Sequence, residues 1–358
     1  MTVLADVHAD HDATFEERGG REAVAHYGRP ERVHRAVRKV VGVIEHALGV
    51  LTITGDDRID YVDNAVSNRV PETDGQGTHA LLLNPQGRIE TDMYVYNAGQ
   101  RLLVFTPPGR AEPLAEEWRE KTFIQDVDID VATDDFGVFG VHGPKATEKI
   151  ASVLSEQTPD QQLGFVRGSM GDSGVTVIRS DALPGEEGYL VVCSAEAARD
   201  VFDTLENRGM NAAPFGYRTW EFLTLEAGTP LFHSELDGRL PNNLGLRNAV
   251  DFEKGCFVGQ EVVSRVENRG QPSKRLVGLT CEAVPDAGGA VFAGDESVGE
   301  VTRAAVSPAR DEPLALALVD FETEGPLSVR VDGEEVAAGI ADLPFVEGSE
   351  QSARLPQY

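Results

Sequence analysis

The sequence predicts an α+β protein whose mixed helix–sheet layers are followed by a small all-β domain. Three observations carry this: a strand–turn–helix order that recurs three times, hairpins interleaved with single helices, and the loss of helical periodicity after Pro272. In chain order, Pro30 to His46 places Val33, Val37, Val40 and Ile44 at i, i+4, i+7 and i+11, the spacing of one helix face. Arg32, Arg35, Arg38 and Lys39 fall on its solvated side. A strand, Val50 to Thr54, leads through Gly55 into a helix from Asp56 to Val66. The order repeats at Gly137 to Val141, where Gly143-Pro144 opens a helix to Leu154. It repeats again at Tyr189 to Cys193, with Ser194 placed to N-cap a helix over Ala195 to Asn207. Between the first two copies lies a meander of strands over 78–83, 88–96 and 101–106, joined by Asn84-Pro-Gln-Gly87 and Asn97-Ala-Gly99. Short strands over 275–281, 290–293, 297–305, 314–320 and 327–331, with tight turns at Gly294-Asp295 and Asp332-Gly333, predict a barrel-like domain. The expected boundaries are an α+β region over 1–255 made of two intertwined subdomains, a barrel over 272–345, and a loose tail over 346–358.

At about 100–200 residues per domain, 358 residues make two or three domains. Hydrophobic residues at 41% and charged residues at 26% are globular fractions. No apolar run approaches the ~18 residues of a membrane span, and Met1 to His11 has neither a basic start nor an apolar stretch. The expectation is a soluble, cytoplasmic protein with no membrane partner. Asp plus Glu is 60 against 32 Lys plus Arg, a formal net charge of −28. Only six of the basic residues are Lys. A surface this acidic and this poor in the most strongly hydrated cation reads as halophilic, because molar salt screens its self-repulsion. Nucleic acid is excluded as a direct partner, since phosphate binding needs a basic face.

Three cysteines without CxxC spacing, Cys193, Cys256 and Cys281, rule out a disulfide framework or a zinc knuckle. Cys193 and Cys281 sit in strand-like runs and read as small buried hydrophobes. His8, His11 and Asp12 lack further nearby metal ligands, and His79, His142 and His233 are isolated. The expected metal content is none. No GxGxxG or GxxxxGK[ST] is present, so dinucleotide and P-loop chemistry are not indicated. The richest stretch is Arg239 to Arg275. Its seven basic residues stand against four acidic ones, leaving a local charge of +3 in a chain that is otherwise −31. The island either holds an anionic ligand or pairs with carboxylates across a domain interface. Within it, Lys254-Gly-Cys256-Phe-Val-Gly-Gln260-Glu261 sets a cysteine between glycines and beside a lysine that favours the thiolate. Cys256 is thus a candidate redox or nucleophilic residue, the alternative being a cysteine that simply packs in a glycine turn.

Lys254 to Glu261, followed by Arg265, resembles the signature of the YgfZ branch of the folate-binding glycine-cleavage T-protein superfamily (the aminomethyltransferase, or GcvT, superfamily). The resemblance extends over about residues 11 to 345. Gly42-Val-Ile-Glu-His46 with Thr54-Gly55 resembles the first helix and strand of that superfamily. Gly87 to Tyr96 resembles the segment of its catalytic aspartate, and Arg218 to Gly228 its Arg-x-x-x-Arg-Leu-Glu-Ala-Gly stretch. Gly299-Glu-Val-Thr302 and Ser307-Pro308 resemble its C-terminal barrel.

The resemblance implies three domains in a ring, ferredoxin-like α+β units plus a small β-barrel, with tetrahydrofolate in the central hole. It also implies the site. Cys256, Asp92 and Lys254 are the expected catalytic residues, and Asp92, Arg218, Glu226, Arg247, Gln260 and Arg265 the expected cofactor contacts. Pterin N–H donors want a buried carboxylate such as Asp92 or Glu226, and the glutamyl tail wants arginine. For Glu226, an ion pair with Arg218 stands as the alternative. The chain departs from the T-protein pattern in three places. Only Asp92 remains of a usual aspartate pair, Leu190 replaces the final Glu of a Gly-Glu-Asp-Gly-x-Glu segment, with Glu186 and Glu187 as substitutes, and the Lys254-Gly-Cys256 motif stands where T-proteins have a different sequence. The first functional expectation is therefore a tetrahydrofolate-binding protein that assembles or repairs iron–sulfur clusters. Its partners would be iron–sulfur client proteins, including radical enzymes that modify tRNA. The alternative is an aminomethyltransferase, with Asp92 positioning the folate amine that attacks an aminomethyl group on a lipoyl arm. A scaffold that has lost its ligand is the third reading.

Overall fold

The computed structural model describes residues 2–358, apart from the side chain of Arg269. Two mixed sheets and a barrel organise the chain. One sheet orders its strands as Phe165–Met170, Ser173–Arg179, Gly188–Ser194, Phe136–His142, Gly42–Glu45 and Ala213–Pro214. The other runs Gln76–Leu83, Ile89–Asn97, Leu102–Thr106, Gly49–Thr54 and Asp128–Val131. The period-2 pleat divides each strand between two cores. Met93, Val95, Leu102 and Val104 pack under the helices Arg58–Ala65 and Ala111–Glu120. Tyr96, Leu103 and Phe105 point the other way and meet Val138, Ile178 and Val192 of the six-stranded sheet. Phe139, Val141, Val177 and Val191 leave that sheet on its far side, against the helix Ala198–Asn207. The layers are therefore helix, sheet, sheet, helix.

After residue 273 the chain closes into a barrel, Lys274–Cys281, Glu312–Asp320, Glu296–Ser307, Ala290–Ala293, Leu327–Val331 and Glu334–Ala341 in spatial order. Leu279, Val291, Val301, Ala317 and Val329 fill it. The α+β class and the C-terminal barrel expected from the sequence are those observed. Among the described residues no helix is long and apolar enough to cross a membrane.

Three local expectations change. The helix expected over Pro30 to His46 ends at Lys39, and Gly42–Glu45 is a strand. Val43 and Ile44 enter opposite cores, as a strand requires. A side chain at Gly42 would come within 2.6 Å of Val37 and 2.8 Å of Phe215, so only glycine lets the strand pass there. After Gly143-Pro144 the regular helix covers only Ala146–Ala151. Ser194 precedes a single 3-10 turn, Ala195–Ala197, and its side chain makes no cap bond.

The largest change is the tail. Residues 346–358 are bound in place: Val346 N donates to Glu226 O at 3.1 Å, Ala353 N to Asp181 O at 3.0 Å and Gln357 N to Gly245 O at 3.0 Å. Tyr358 Oη donates to Asn243 O at 2.9 Å, and Arg354 is buried at 5% exposure. Gly348 crosses the Gly185 carbonyl so closely that no side chain fits. These are hydrogen bonds to distant backbone, which leave no periodic trace in sequence.

Glu226 ties the parts together. Its Oε2 accepts from His34 Nε2 at 2.7 Å and Arg38 Nη2 at 2.8 Å, and its Oε1 from Ser307 Oγ at 2.5 Å and Ala309 N at 3.1 Å. The helix Pro30–Lys39, the helix Tyr217–Glu226 and the end of barrel strand Glu296–Ser307 thus share one buried carboxylate. Burial pushes this carboxyl up, but hydrogen bonds from His34 and Ser307 and the charge of Arg38 outweigh it and hold the group at about 2. Removing one partner of a buried ion pair costs ~3–5 kcal/mol. Glu226→Ala is expected to lower the unfolding free energy by about that amount in denaturant titrations at pH 7. A depressed folded-state carboxyl stabilises above its ordinary value of 4.5, and that stability is lost as pH falls towards 2. The variant's stability is therefore expected to fall less between pH 5 and pH 3 than the parent's. Parallel pH curves would contradict this role.

Candidate functional site

The sheets, the helix Tyr217–Glu226, the barrel and the C-terminal segment all contribute to the wall of one cavity of about 170 Å³. It begins with strand Ile89–Asn97. Since Met93 and Val95 enter the helix-covered core, Asp92, Tyr94 and Tyr96 face the opposite side. Phe105 pairs with Tyr94 on the next strand and extends the aromatic wall. The six-stranded sheet contributes His142 and Leu190, the segment after its strand Ser173–Arg179 contributes Asp181, the helix Tyr217–Glu226 contributes Trp220, the barrel Arg303 and the C-terminus Arg354.

Asp92 is 3% exposed. Its Oδ2 accepts from Arg354 Nη2 at 2.7 Å and from His79 Nε2 at 3.2 Å, while Oδ1 is buried with no partner. Burial pushes the carboxyl up, but the charge of Arg354 and the hydrogen bond from His79 prevail and hold it at about 2. Burial and the charge of Arg354 lower His79, whose Nε2 must carry the proton it donates. Arg354 also donates to Tyr94 Oη, from Nη2 at 2.8 Å and Nε at 3.2 Å, and Tyr94 Oη donates to Asp181 Oδ2. A second group lies on the same wall. The rings of His46 and His142 stand 4.9 and 5.3 Å from Trp220. Burial lowers His46 to about 4, and burial with the neighbouring His46 lowers His142 well below its ordinary value, so both are neutral at pH 7. Both ring nitrogens of His142 are buried without partners. The result is a largely aromatic chamber in which Asp92 Oδ1 is a fixed, unpartnered acceptor. A carboxylate held at about 2 is a weak base, so Asp92 is built to orient an N–H group and favour positive charge on it rather than to take a proton into solution.

Of the expected site residues, Asp92 lines this cavity. Lys254 does not. Its ammonium donates to the carbonyls of Asp63, Val66 and Asn68 at 2.5, 3.1 and 3.0 Å, capping the end of helix Arg58–Ala65 instead of serving a thiolate. Gln260 Nε2 donates to the Lys254 carbonyl at 3.2 Å. Cys256 is exposed. Arg218 is 57% exposed and lies 3.8 Å from Glu16 and 3.6 Å from Glu221; Glu226 pairs with Arg38 and His34 instead of Arg218, and neither Arg218 nor Glu226 lines the cavity. Arg247 pairs with Glu267 beside a separate cleft of about 270 Å³, and Arg265 pairs with Glu261 at 2.6 Å on the surface. Arg247 and Arg265 are thus paired with carboxylates of the basic island itself. Glu186 serves Arg38 and Ser349, and Glu187 serves Thr147, so neither replaces the acceptor missing at Leu190. His79, Tyr94, Asp181 and Arg354 belong to the site and carried no local signal. His8 bonds Glu45 at 2.5 Å and Tyr27 at 2.7 Å. Among the described residues no three His, Cys, Asp or Glu stand together to hold a metal.

Residues 4–254 match the GCVT N-terminal domain family, and residues 274–347 match the glycine cleavage T-protein C-terminal barrel domain. An aminomethyltransferase of Cutibacterium acnes is 30% identical over 97% of this chain and 98% of its own length. A probable aminomethyltransferase of Halobacterium salinarum is 29% identical over 95% and 97%. The solved glycine cleavage system aminomethyltransferase T of Bartonella henselae superposes with a TM-score of 0.86 over 98% of both chains at 21% identity, which establishes the shared fold. These matches correct the first functional expectation. Relatives that span the whole chain carry the name aminomethyltransferase, not that of an iron–sulfur maintenance protein, and they favour the alternative.

Replacing the Arg354 charge tests the electrostatics directly. With Arg354→Met, burial is left to dominate, and the Asp92 carboxyl is expected to rise from about 2 past its ordinary 3.8, read by carboxyl carbon shifts in an NMR titration. A value still near 2 would show that Arg354 does not set it.

Proposed function

The chain belongs to the glycine cleavage T-protein family, and from that premise we propose that it is an aminomethyltransferase that works with tetrahydrofolate. The observation that carries the reading is Asp92, whose Oδ2 is anchored and whose Oδ1 waits in a buried aromatic chamber without a donor. The residues present fit a reduced folate. Tyr94, Tyr96, Phe105 and Trp220 offer ring surfaces to a flat heterocycle, and Asp92 Oδ1 offers an acceptor to an N–H group. When bound, tetrahydrofolate supplies the amine that accepts the one-carbon unit.

The chain's own residues do the rest. Asp92 accepts a hydrogen bond from the reacting amine and stabilises positive charge as it develops there. Arg354 and His79 keep that carboxylate ionised and fixed in direction, so little reorganisation is needed. With a ligand seated, the aromatic wall would limit the water that reaches an aminomethyl group. Arg18 and Arg303 also line the cavity, but Arg18 is paired with Glu16 and Glu221, and Arg303 is held by Thr224, Thr229 and Glu235. Within the family we place the chain on the YgfZ branch on the support of the Lys254-to-Glu261 motif; the proposed reaction rests on the cavity instead.

Incubated with tetrahydrofolate and an aminomethyl-loaded lipoyl carrier protein, the chain is expected to release ammonia and form methylenetetrahydrofolate. Asp92→Asn is expected to lower kcat by ~10²-fold or more, compared at a temperature where circular dichroism shows the variant folded, since Arg354 loses its buried counter-charge and the melt falls. No ammonia from the loaded carrier would remove the transferase reading.

A further inference from the structure

We propose that Asp181 is a second ligand-holding carboxylate of the cavity, accepting an N–H from the 2-amino–N3 edge of the pterin, while Asp92 serves the reacting amine. The proposal rests on the folate reading above. Asp181 follows the strand Ser173–Arg179 and is 5% exposed. Its backbone is fixed on both sides: Ser180 N donates to Gly188 O at 3.0 Å, and Ala353 N donates to the Asp181 carbonyl at 3.0 Å. Its side chain lines the same cavity as Asp92.

The orientation of the carboxylate is also fixed. Tyr94 Oη receives two N–H groups of Arg354, which leaves its own proton for Asp181 Oδ2. Burial raises the Tyr94 phenol well above its ordinary value, so the proton stays and the donor is permanent. Among the described residues no hydrogen bond engages the other oxygen of Asp181. One guanidinium therefore anchors two carboxylates, directly at Asp92 and through Tyr94 at Asp181, and each keeps one oxygen for a ligand. Such a pair matches a ligand with N–H donors at two separated places, which a reduced pterin has.

The other carboxylate on this wall, Glu221, is paired with Arg18 and Arg218. Leu190, on the paired strand and on the same wall, has no polar atom in its side chain. Glu186 and Glu187 are engaged elsewhere. Without Asp181, a pterin donor on this side would be buried unpaired, a cost large enough to decide binding. Tyr94 acts here as a positioning residue, since it works through Asp181.

The test measures dissociation constants by Trp220 fluorescence and calorimetry, for tetrahydrofolate and for a reduced analogue lacking the 2-amino group. Parent, Asp181→Asn and Tyr94→Phe are compared. The parent is expected to prefer tetrahydrofolate. Asp181→Asn is expected to bind it about tenfold or more weakly and to lose the preference. Tyr94→Phe, which keeps the carboxylate but frees it, is expected to lose part of both, and it provides the reading if Asp181→Asn does not fold. Saturable binding by the parent, with affinity and preference unchanged in the folded variants, would overturn the role of Asp181 alone. A flat titration of the parent would overturn the folate reading and this inference with it.

Discussion

The burial of a single guanidinium, Arg354, against Asp92 and Tyr94 is the constraint on which the site depends. Removing an ion from water costs several kcal/mol, and it is tolerated only when good hydrogen bonds and opposite charge compensate. Here Asp92 supplies a carboxylate at 2.7 Å, Tyr94 a phenol oxygen, and Asp181 a second carboxyl beyond it. The compensation runs both ways. Without Arg354, Asp92 would be a buried carboxyl pushed towards neutrality, and Tyr94 would lose the donors that direct its proton.

That constraint dictates the path of the chain's end. Arg354 reaches strand Ile89–Asn97 only because residues 346–358 return from the barrel across Gly185 and are pinned at Glu226, Asp181 and Gly245. The Glu226 carboxylate, shared by two helices and the barrel, holds the other side of the same junction. The cavity exists because separate layers, each with a complete core of its own, are clamped around a common space. Despite the chain's net charge of −28, three arginines, Arg18, Arg303 and Arg354, stand on its wall. Local charge at the site is thus set by pairing within the fold and not by overall composition.

Much of the architecture was legible because period and turn chemistry are local. The hairpins around Asn84-Pro-Gln-Gly87 and Asn97-Ala-Gly99 lie where the alternation and turn residues put them, and so does the barrel after Pro272. Asp92 itself came from the resemblance of Gly87 to Tyr96; its face, opposite Met93 and Val95, is seen only in the structure. The helix expected over Pro30 to His46 overran because Val40 and Ile44 extend a helical spacing by coincidence, where packing at Gly42 demands a strand. Lys254 and Cys256 drew attention as a dense local motif, yet the lysine serves a helix end and the cysteine faces solvent. Arg354 stayed invisible because a lone arginine in a polar segment has no pattern. Its meaning arises from contact with residues some 260 positions earlier in the chain. His79 and Asp181 were illegible for the same reason.

The most direct measurement is a crystal structure of the chain with tetrahydrofolate or a stable reduced analogue. The expected result is the reduced ring in the aromatic cavity, with an N–H within about 3 Å of Asp92 Oδ1. A ring seated in the cleft beside Arg247, with the cavity still closed around an unpartnered Asp92, would contradict the placement of the reaction at Asp92.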